Sequence, residues 1–201
     1  SLGAVYTFPD GRRRYTGTIG HIGCTSFFPS KNLGCYGDGG ALFTDDPELA
    51  ERIRMTANHG QRVKYHHDVV GCNSRLDTIQ AAVLEVKLRY LDEYCAARQE
   101  AAARYRALLS GTEGIELPAE SPFTTHVWHQ FTLKVADGRR DGLKEHLASR
   151  GIPSMIYYPL PLHHQQAYRQ DGLSLPVAEA LAGSVLSLPV HTELTEGVQE
   201  R

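Results

Sequence analysis

The chain has 201 residues, 41% of them hydrophobic, enough for a core in one large domain or in one and a half smaller ones. Twenty-one Lys and Arg stand against 23 Asp and Glu, a formal charge of -2, and no basic run extends beyond Arg12-Arg13-Arg14, so nucleic acid is not an expected partner. No stretch of about 18 apolar residues occurs, which argues against a membrane-spanning helix and predicts a soluble, cytoplasmic protein.

In chain order, residues 22–28 are apolar or β-prone and Gly40-Ala41-Leu42-Phe43-Thr44 repeats that character, predicting two strands with a glycine-rich connection. Asp46-Pro47-Glu48 then sets an N-cap, a proline at the first helical position and an acid in the first turn, predicting a helix over about 47–58 with Gly60 beyond it. After a polar loop, 61–72, Ser74-Arg75-Leu76-Asp77 resembles a capping box, and Leu76, Ile79, Val83, Leu84, Val86, Leu88, Tyr90 and Leu91 recur at helical spacing towards Leu109. One helix of roughly 34 residues would run about 50 Å at 1.5 Å per residue, a rod leaving one domain and entering another. The predicted domains are 1–95 and 96–201.

Beyond the rod, residues 127–135 predict a strand, 140–150 a helix closed by Gly151, and 154–158 another strand. A proline-marked loop, 159–176, leads to a helix over 177–186, so the second domain reads as small and α+β. Cys24, Cys35, Cys72 and Cys95 include no C-x-x-C pair, and reduced, mostly buried thiols are expected. The pairs His66-His67 and His163-His164 have no Cys, Asp or Glu at recurrent ligand spacing, so no metal site is expected. Pro9-Asp10-Gly11 followed by Arg12-Arg13-Arg14 reads as an exposed turn. The sequence opens Ser1-Leu2-Gly3-Ala4 and stops at Glu200-Arg201 inside a helical pattern, the mark of a fragment or of the ordered part of something longer.

The chemically loaded stretch runs from Ser26 to Gly40, Ser-Phe-Phe-Pro-Ser-Lys-Asn-Leu-Gly-Cys-Tyr-Gly-Asp-Gly-Gly. Lys31 lies between an aromatic, apolar run and four glycines. A lysine that forms a Schiff base needs partial desolvation and a backbone that lets a ring come close, and these neighbours could supply both. An ordinary solvated Lys in a glycine-rich hairpin carries the same residues, because Lys is almost always exposed. Two phosphate-binding loops are excluded: Lys31 precedes its glycines and is followed by Asn32, and no G-x-G-x-x-G follows a strand.

Residues 24–34 (CTSFFPSKNLG) with Gly37-Asp38-Gly39-Gly40-Ala41 resemble the lysine segment of the DegT/StrS family of sugar aminotransferases. Residues 71–82 (GCNSRLDTIQAA) and 157–163 (YYPLPLH) resemble that family's second and third motifs, and the three blocks cover nearly the whole chain in the right order. The resemblance implies an α/β fold: part of the large fold-type-I domain of pyridoxal-phosphate-dependent transferases, then a long helix and a C-terminal small α+β domain. It implies pyridoxal 5'-phosphate on Lys31 as a Schiff base, with Lys31 then moving the proton between substrate and cofactor carbons. Ser26 would donate to the cofactor phosphate and Asn73 would reach it from the neighbouring subunit, which implies a homodimer. Arg75, Tyr157, Tyr158 and His163 would line the sugar-nucleotide pocket. Arg75 could instead pair with Asp77, the tyrosines could be amphipathic packing, and His163 could bond to backbone. Some members acting on uronic acids have His where this chain has Tyr157, which weakens any case for a sugar acid.

The expected reaction passes an amino group from an amino acid such as glutamate to a nucleotide-linked keto sugar, for polysaccharide or glycoside biosynthesis. The Asn73-Ser74-Arg75-Leu76-Asp77 form leans towards a 3-keto sugar. The family's Asp for the pyridine nitrogen would precede Ser1, so this stretch alone is expected to be inactive. Two alternatives stay open: a non-catalytic binding or assembly protein of the same fold, and a sugar dehydratase, against which Lys31 counts because the dehydratases carry His there.

Overall fold

A computed structural model describes residues 1–200, and in it the chain divides inside a helix. One unit comprises Ser1–Ala96 with Ser121–Val127, the other Ala97–Glu120 with the chain from Trp128 onward.

In the first unit β1 (Val5–Thr7) pairs antiparallel with β2 (Arg13–Tyr15), and β3 (Gly23–Ser26) with β4 (Gly40–Phe43). The expected Pro9-Asp10-Gly11 turn closes the first pair, with Gly11 at φ +84° and the Asp10 carboxylate taking Arg12 N–H at 3.0 Å and Arg12 Nε at 2.6 Å. In α1 (Pro47–Ala57) the Asp46 carboxylate accepts from the backbone N–H of Glu48 and Leu49, as its sequence predicts. The expected polar loop contains a short hairpin, β5 (Gln61–Val63) with β6 (His66–His67).

The single long helix is not formed. Its place is taken by α2 (Thr78–Leu88) and α3 (Leu91–Leu109), separated by Arg89 and Tyr90. There the N–H of Arg89 reaches Val86 O and that of Tyr90 reaches Lys87 O, bonds that step back three residues instead of four. No Gly or Pro marks the break; Asp92 and Glu93 follow it, acids suited to the exposed N–H groups of a new first turn. The capping box at Ser74 is also absent. The backbone of 72–74 is spent on the end of α1, Cys72 N–H on Thr56 O and Ser74 N–H on Ala57 O, so Asp77 becomes the N-cap, without a side-chain bond. Phe27, Leu33, Cys35 and Leu84 form the main cluster of this unit, and Ala4, Cys95 and Val127 a second. Cys24 and Cys72 are exposed, so only two of the four free thiols are buried as expected.

The second unit is built on a three-stranded antiparallel sheet in the order β7 (Ile115–Glu116), β8 (Phe131–Val135), β9 (Val185–Leu188). Central β8 alternates, burying Phe131, Leu133 and Val135. Against them pack Ala101, Ala102 and Tyr105 of α3, Trp128, Leu186 and Leu194. The remaining helices are α4 (Arg140–Ser149), α5 (Pro176–Ser184) and α6 (Glu196–Gln199). The strand expected over 127–135 begins only at Phe131, because Trp128 turns to φ +45° while its ring is buried. Of the strand expected over 154–158 only Met155 pairs, exchanging both backbone bonds with Ser187. Among the described residues no helix is long and apolar enough to cross a membrane.

Candidate active site

Ser26 ends β3, directly opposite Gly40 of β4, and the thirteen residues between them form the lysine loop. Pro29 and Ser30 are the centre of a β-turn closed by Lys31 N–H on Phe28 O at 2.8 Å, with proline at the position where its fixed φ is already correct. The N–H of the same Phe28 donates to Ser26 Oγ at 3.2 Å. Ser26 and Lys31 are therefore tied to the two sides of one residue's backbone. Lys31 is half-buried, as a reactive amine would need, and Ser26 is exposed.

The rest of the loop is fixed from behind. Phe27 N–H reaches Gly39 O, and Phe27 O accepts both Cys35 N–H at 2.8 Å and the Cys35 thiol at 3.0 Å. A Cβ on Gly34 would lie 2.5 Å from Pro29 O and 2.8 Å from Phe28 O, so glycine is required for the backbone to pass this close to the turn. α2 grips the same segment with residues at i, i+4 and i+7: Gln80 Oε1 takes Tyr36 N–H at 2.8 Å, Leu84 is buried, and Lys87 Nζ donates to Gly34 O at 2.6 Å over the Tyr36 ring. Asn32 Nδ2 donates to Val127 O at 2.7 Å, while Asn32 Oδ1 is buried with no hydrogen-bond partner among the described residues. Gln80, Lys87 and the anchoring role of Asn32 escaped the sequence reading. The helical spacing of the first two was visible, but their target was not.

Asn73 and Arg75 are brought together. Asn73 bridges Asn58, and its carboxamide oxygen accepts from Arg75 Nε at 3.2 Å, so the guanidinium's partner is Asn73 and not Asp77. Both are exposed.

In the second unit Tyr157, Tyr158 and His163 line one cavity of about 940 Å³, otherwise walled mainly by prolines, leucines and α5. The tyrosine rings meet edge to face at 5.7 Å, and Tyr158 is 72% exposed. His163 is buried and bonds to a carboxylate, not to backbone: its Nε2 lies 2.9 Å from Glu179 Oε1. That oxygen also accepts Leu175 N–H at 2.7 Å and Ser174 Oγ at 3.3 Å. The His163 bond, first, and that of Leu175 hold the Glu179 carboxyl below its ordinary pKa. Glu179 also brings a carboxylate to the His163-His164 pair that spacing did not reveal, with ligand atoms within 4.8 Å of one another. Glu179 Oε1 is already engaged by His163, Leu175 and Ser174. His67, of the other pair, places Nδ1 2.8 Å from His59 O.

The sequence signature of the DegT/DnrJ/EryC1/StrS aminotransferase family matches residues 1–201. The chain belongs to this family. It is 48% identical, over 91% of its length, to the dTDP-3-amino-3,4,6-trideoxy-alpha-D-glucose transaminase of Streptomyces venezuelae, covering 48% of that protein. It is 44% identical, over 96% of its length, to the UDP-2-acetamido-2-deoxy-3-oxo-D-glucuronate aminotransferase of Pseudomonas aeruginosa, covering 52% of it. Among solved structures, Streptomyces venezuelae DesV in complex with a ketimine intermediate matches with a TM-score of 0.89 at 48% identity, over 99% of this chain and 53% of that one. The chain thus spans about half the length of the DegT/DnrJ/EryC1/StrS relatives it matches.

Proposed function

We propose that this chain is the lysine-bearing part of a pyridoxal-phosphate-dependent aminotransferase that moves an amino group from glutamate to a nucleotide-linked 3-keto sugar. One observation carries the reading: Lys31 is half-buried on a turn braced by Ser26, Gly34 and α2. The residues present fit the cofactor. Ser26 Oγ is an exposed hydroxyl beside the lysine turn, and Asn32 keeps a buried, unpartnered acceptor next to it. When bound, pyridoxal phosphate supplies the electron sink that stabilises negative charge at the amine-bearing carbon.

The chain's own residues do the rest. Lys31 holds the cofactor through its ε-amine and, once freed, takes up and returns a proton at that nitrogen. Ser26 donates its hydroxyl to the phosphate. Asn73 reaches a phosphate across a homodimer interface, and Arg75, steered by Asn73, meets an anionic group of the sugar nucleotide. Tyr157, Tyr158 and His163 contact the sugar. Residues 1–95 belong to the large cofactor-binding domain and 96–201 to the small α+β domain, in a cytoplasmic enzyme of polysaccharide or glycoside biosynthesis. The 3-keto preference draws support from the names of the relatives, which specify 3-amino or 3-oxo sugars.

Borohydride reduction of the full-length protein that carries this chain, loaded with its cofactor and followed by peptide mapping, tests the reading. A reduced cofactor on Lys31, lost in Lys31→Ala, with glutamate turned over catalytically only when a keto-sugar nucleotide is present, is the expected result. An unmodified Lys31 in cofactor-saturated protein sinks it and leaves a binding or assembly role.

A further inference from the structure

Glu179 lies sixteen residues from His163, on a different element, and none of the three motifs includes it. It sits in the first turn of α5, where Leu175 N–H at 2.7 Å and Ser174 Oγ at 3.3 Å pin its Oε1 against the start of the helix. His163, in the 3-10 turn Leu162–His164, brings Nε2 to 2.9 Å from that same oxygen, with its side chain only 5% exposed and the His164 ring 4.2 Å away. An ionised carboxylate accepts and cannot donate, so the proton of this contact belongs to His163 Nε2. In the neutral imidazole the second nitrogen, Nδ1, is then the acceptor. Nδ1 makes no hydrogen bond among the described residues, and His163 lines both the cavity shared with Tyr157 and Tyr158 and a smaller one shared with His164 and Arg169.

We propose that Glu179 is a positioning residue that locks His163 in the Nε2–H tautomer, so that Nδ1 accepts a hydrogen bond from a hydroxyl of the sugar. This rests on the aminotransferase reading for the identity of the ligand; the tautomer does not. The lock selects for a donor: an anionic or carbonyl group at the same place would meet a lone pair. Its consequence is preference for a hydroxyl-bearing ring over one oxidised to a carboxylate or ketone at that position.

The test uses the full chain, uniformly deuterated and labelled with nitrogen-15 histidine. Long-range nitrogen–proton correlation should give His163 a protonated Nε2 and a pyridine-type Nδ1, and Glu179→Gln should convert this into a mixture of tautomers. Adding the nucleotide sugar should shift Nδ1 in the native protein. In kinetics, Glu179→Gln should raise KM for the sugar nucleotide about threefold to tenfold, the worth of one hydrogen bond, with KM for glutamate unchanged. Glu179→Asp should recover part of the loss. A native His163 protonated at Nδ1 overturns the proposal. So does an Nδ1 resonance indifferent to the sugar, or a Glu179→Gln variant in which both KM values move together with a fall in Tm, the signature of a purely structural role. If Lys31 cannot be trapped with cofactor, the aminotransferase reading falls, and the resonances of His163 still decide whether Glu179 sets its tautomer.

Discussion

Gly34→Ala is the sharpest probe of the lysine loop. The added Cβ would stand 2.5 Å from Pro29 O and 2.8 Å from Phe28 O, against 3.4 Å for ordinary contact, so one side must retreat by about 0.9 Å (3.4 minus 2.5). Both atoms are backbone and neither can swing aside. Phe28 O is also the acceptor that closes the turn on Lys31 N–H, so relief of the clash moves the lysine itself. Overpacking of this kind costs about 1–3 kcal/mol, or about 2–4 °C in Tm for each kcal/mol in a chain of this size. A reacting group misplaced by about 1 Å costs on the order of a hundredfold in rate. The assay is paired: Tm by calorimetry and the rate of the proposed glutamate-dependent amination in the full-length protein, with Gly142→Ala as control. Gly142 lies in α4, where an added Cβ would find nothing within 4 Å, and alanine there should stabilise by about 0.5–1 kcal/mol without changing the rate. If Gly34→Ala keeps Tm within a degree and rate within twofold of the native protein, the close passage does not position Lys31.

Three further outcomes follow from the second unit and its cavity. Phe131→Ala removes a fully buried ring held between Tyr105 at 5.1 Å and Trp128 at 5.3 Å, and should cost about 3–5 kcal/mol in urea unfolding; a cost below about 1 kcal/mol would place the core elsewhere. Arg98→Met should lose about 3 kcal/mol, because the buried guanidinium donates to the carbonyls of Trp128 and Val190 at 3.0 and 2.9 Å and methionine keeps only its apolar stem; an unchanged urea midpoint would refute the account. The depressed carboxyl of Glu179 contributes stability that is complete above its unfolded pKa, about 4.3, and lost as pH falls through the lower folded value. Acid titration of Tm should therefore show a steeper fall below about pH 4.3 in the native chain than in Glu179→Gln, and parallel curves would contradict it.

What could be read from the sequence was what local chemistry decides. Asp46-Pro47-Glu48 announces α1 because the cap, the proline and the acid act within one turn. Lys31 stood out only because residues 24–34 resemble the family's lysine segment; its immediate neighbours fit an ordinary solvated lysine equally well. The misreadings arose where a distant partner decides. Residues 76–91 keep an apolar stripe through the break at Arg89, so periodicity could not locate it. Trp128 has the composition of a strand residue, but burial of its ring dictates a left-handed backbone. Val185-Leu186 reads as the last turn of a helix, yet pairing with β8 and Met155 claims it for the sheet. Glu179 could not be linked to His163 from spacing at all, since sixteen residues and a loop separate them.

The two ties on the lysine loop that come from farthest away, Lys87 to Gly34 and Val127 to Asn32, reach across 53 and 95 positions. A ribosome adding about 5–20 residues per second needs about 5–20 s to pass from Asn32 to Val127. By the end of that interval the residues of α2, α3 and the first strand of the second unit have all been added, while the loop bearing Lys31 still waits for its farthest anchor. The first unit is therefore finished out of order, by a segment synthesised after the second has begun, and the amine is held in place late in the chain's birth.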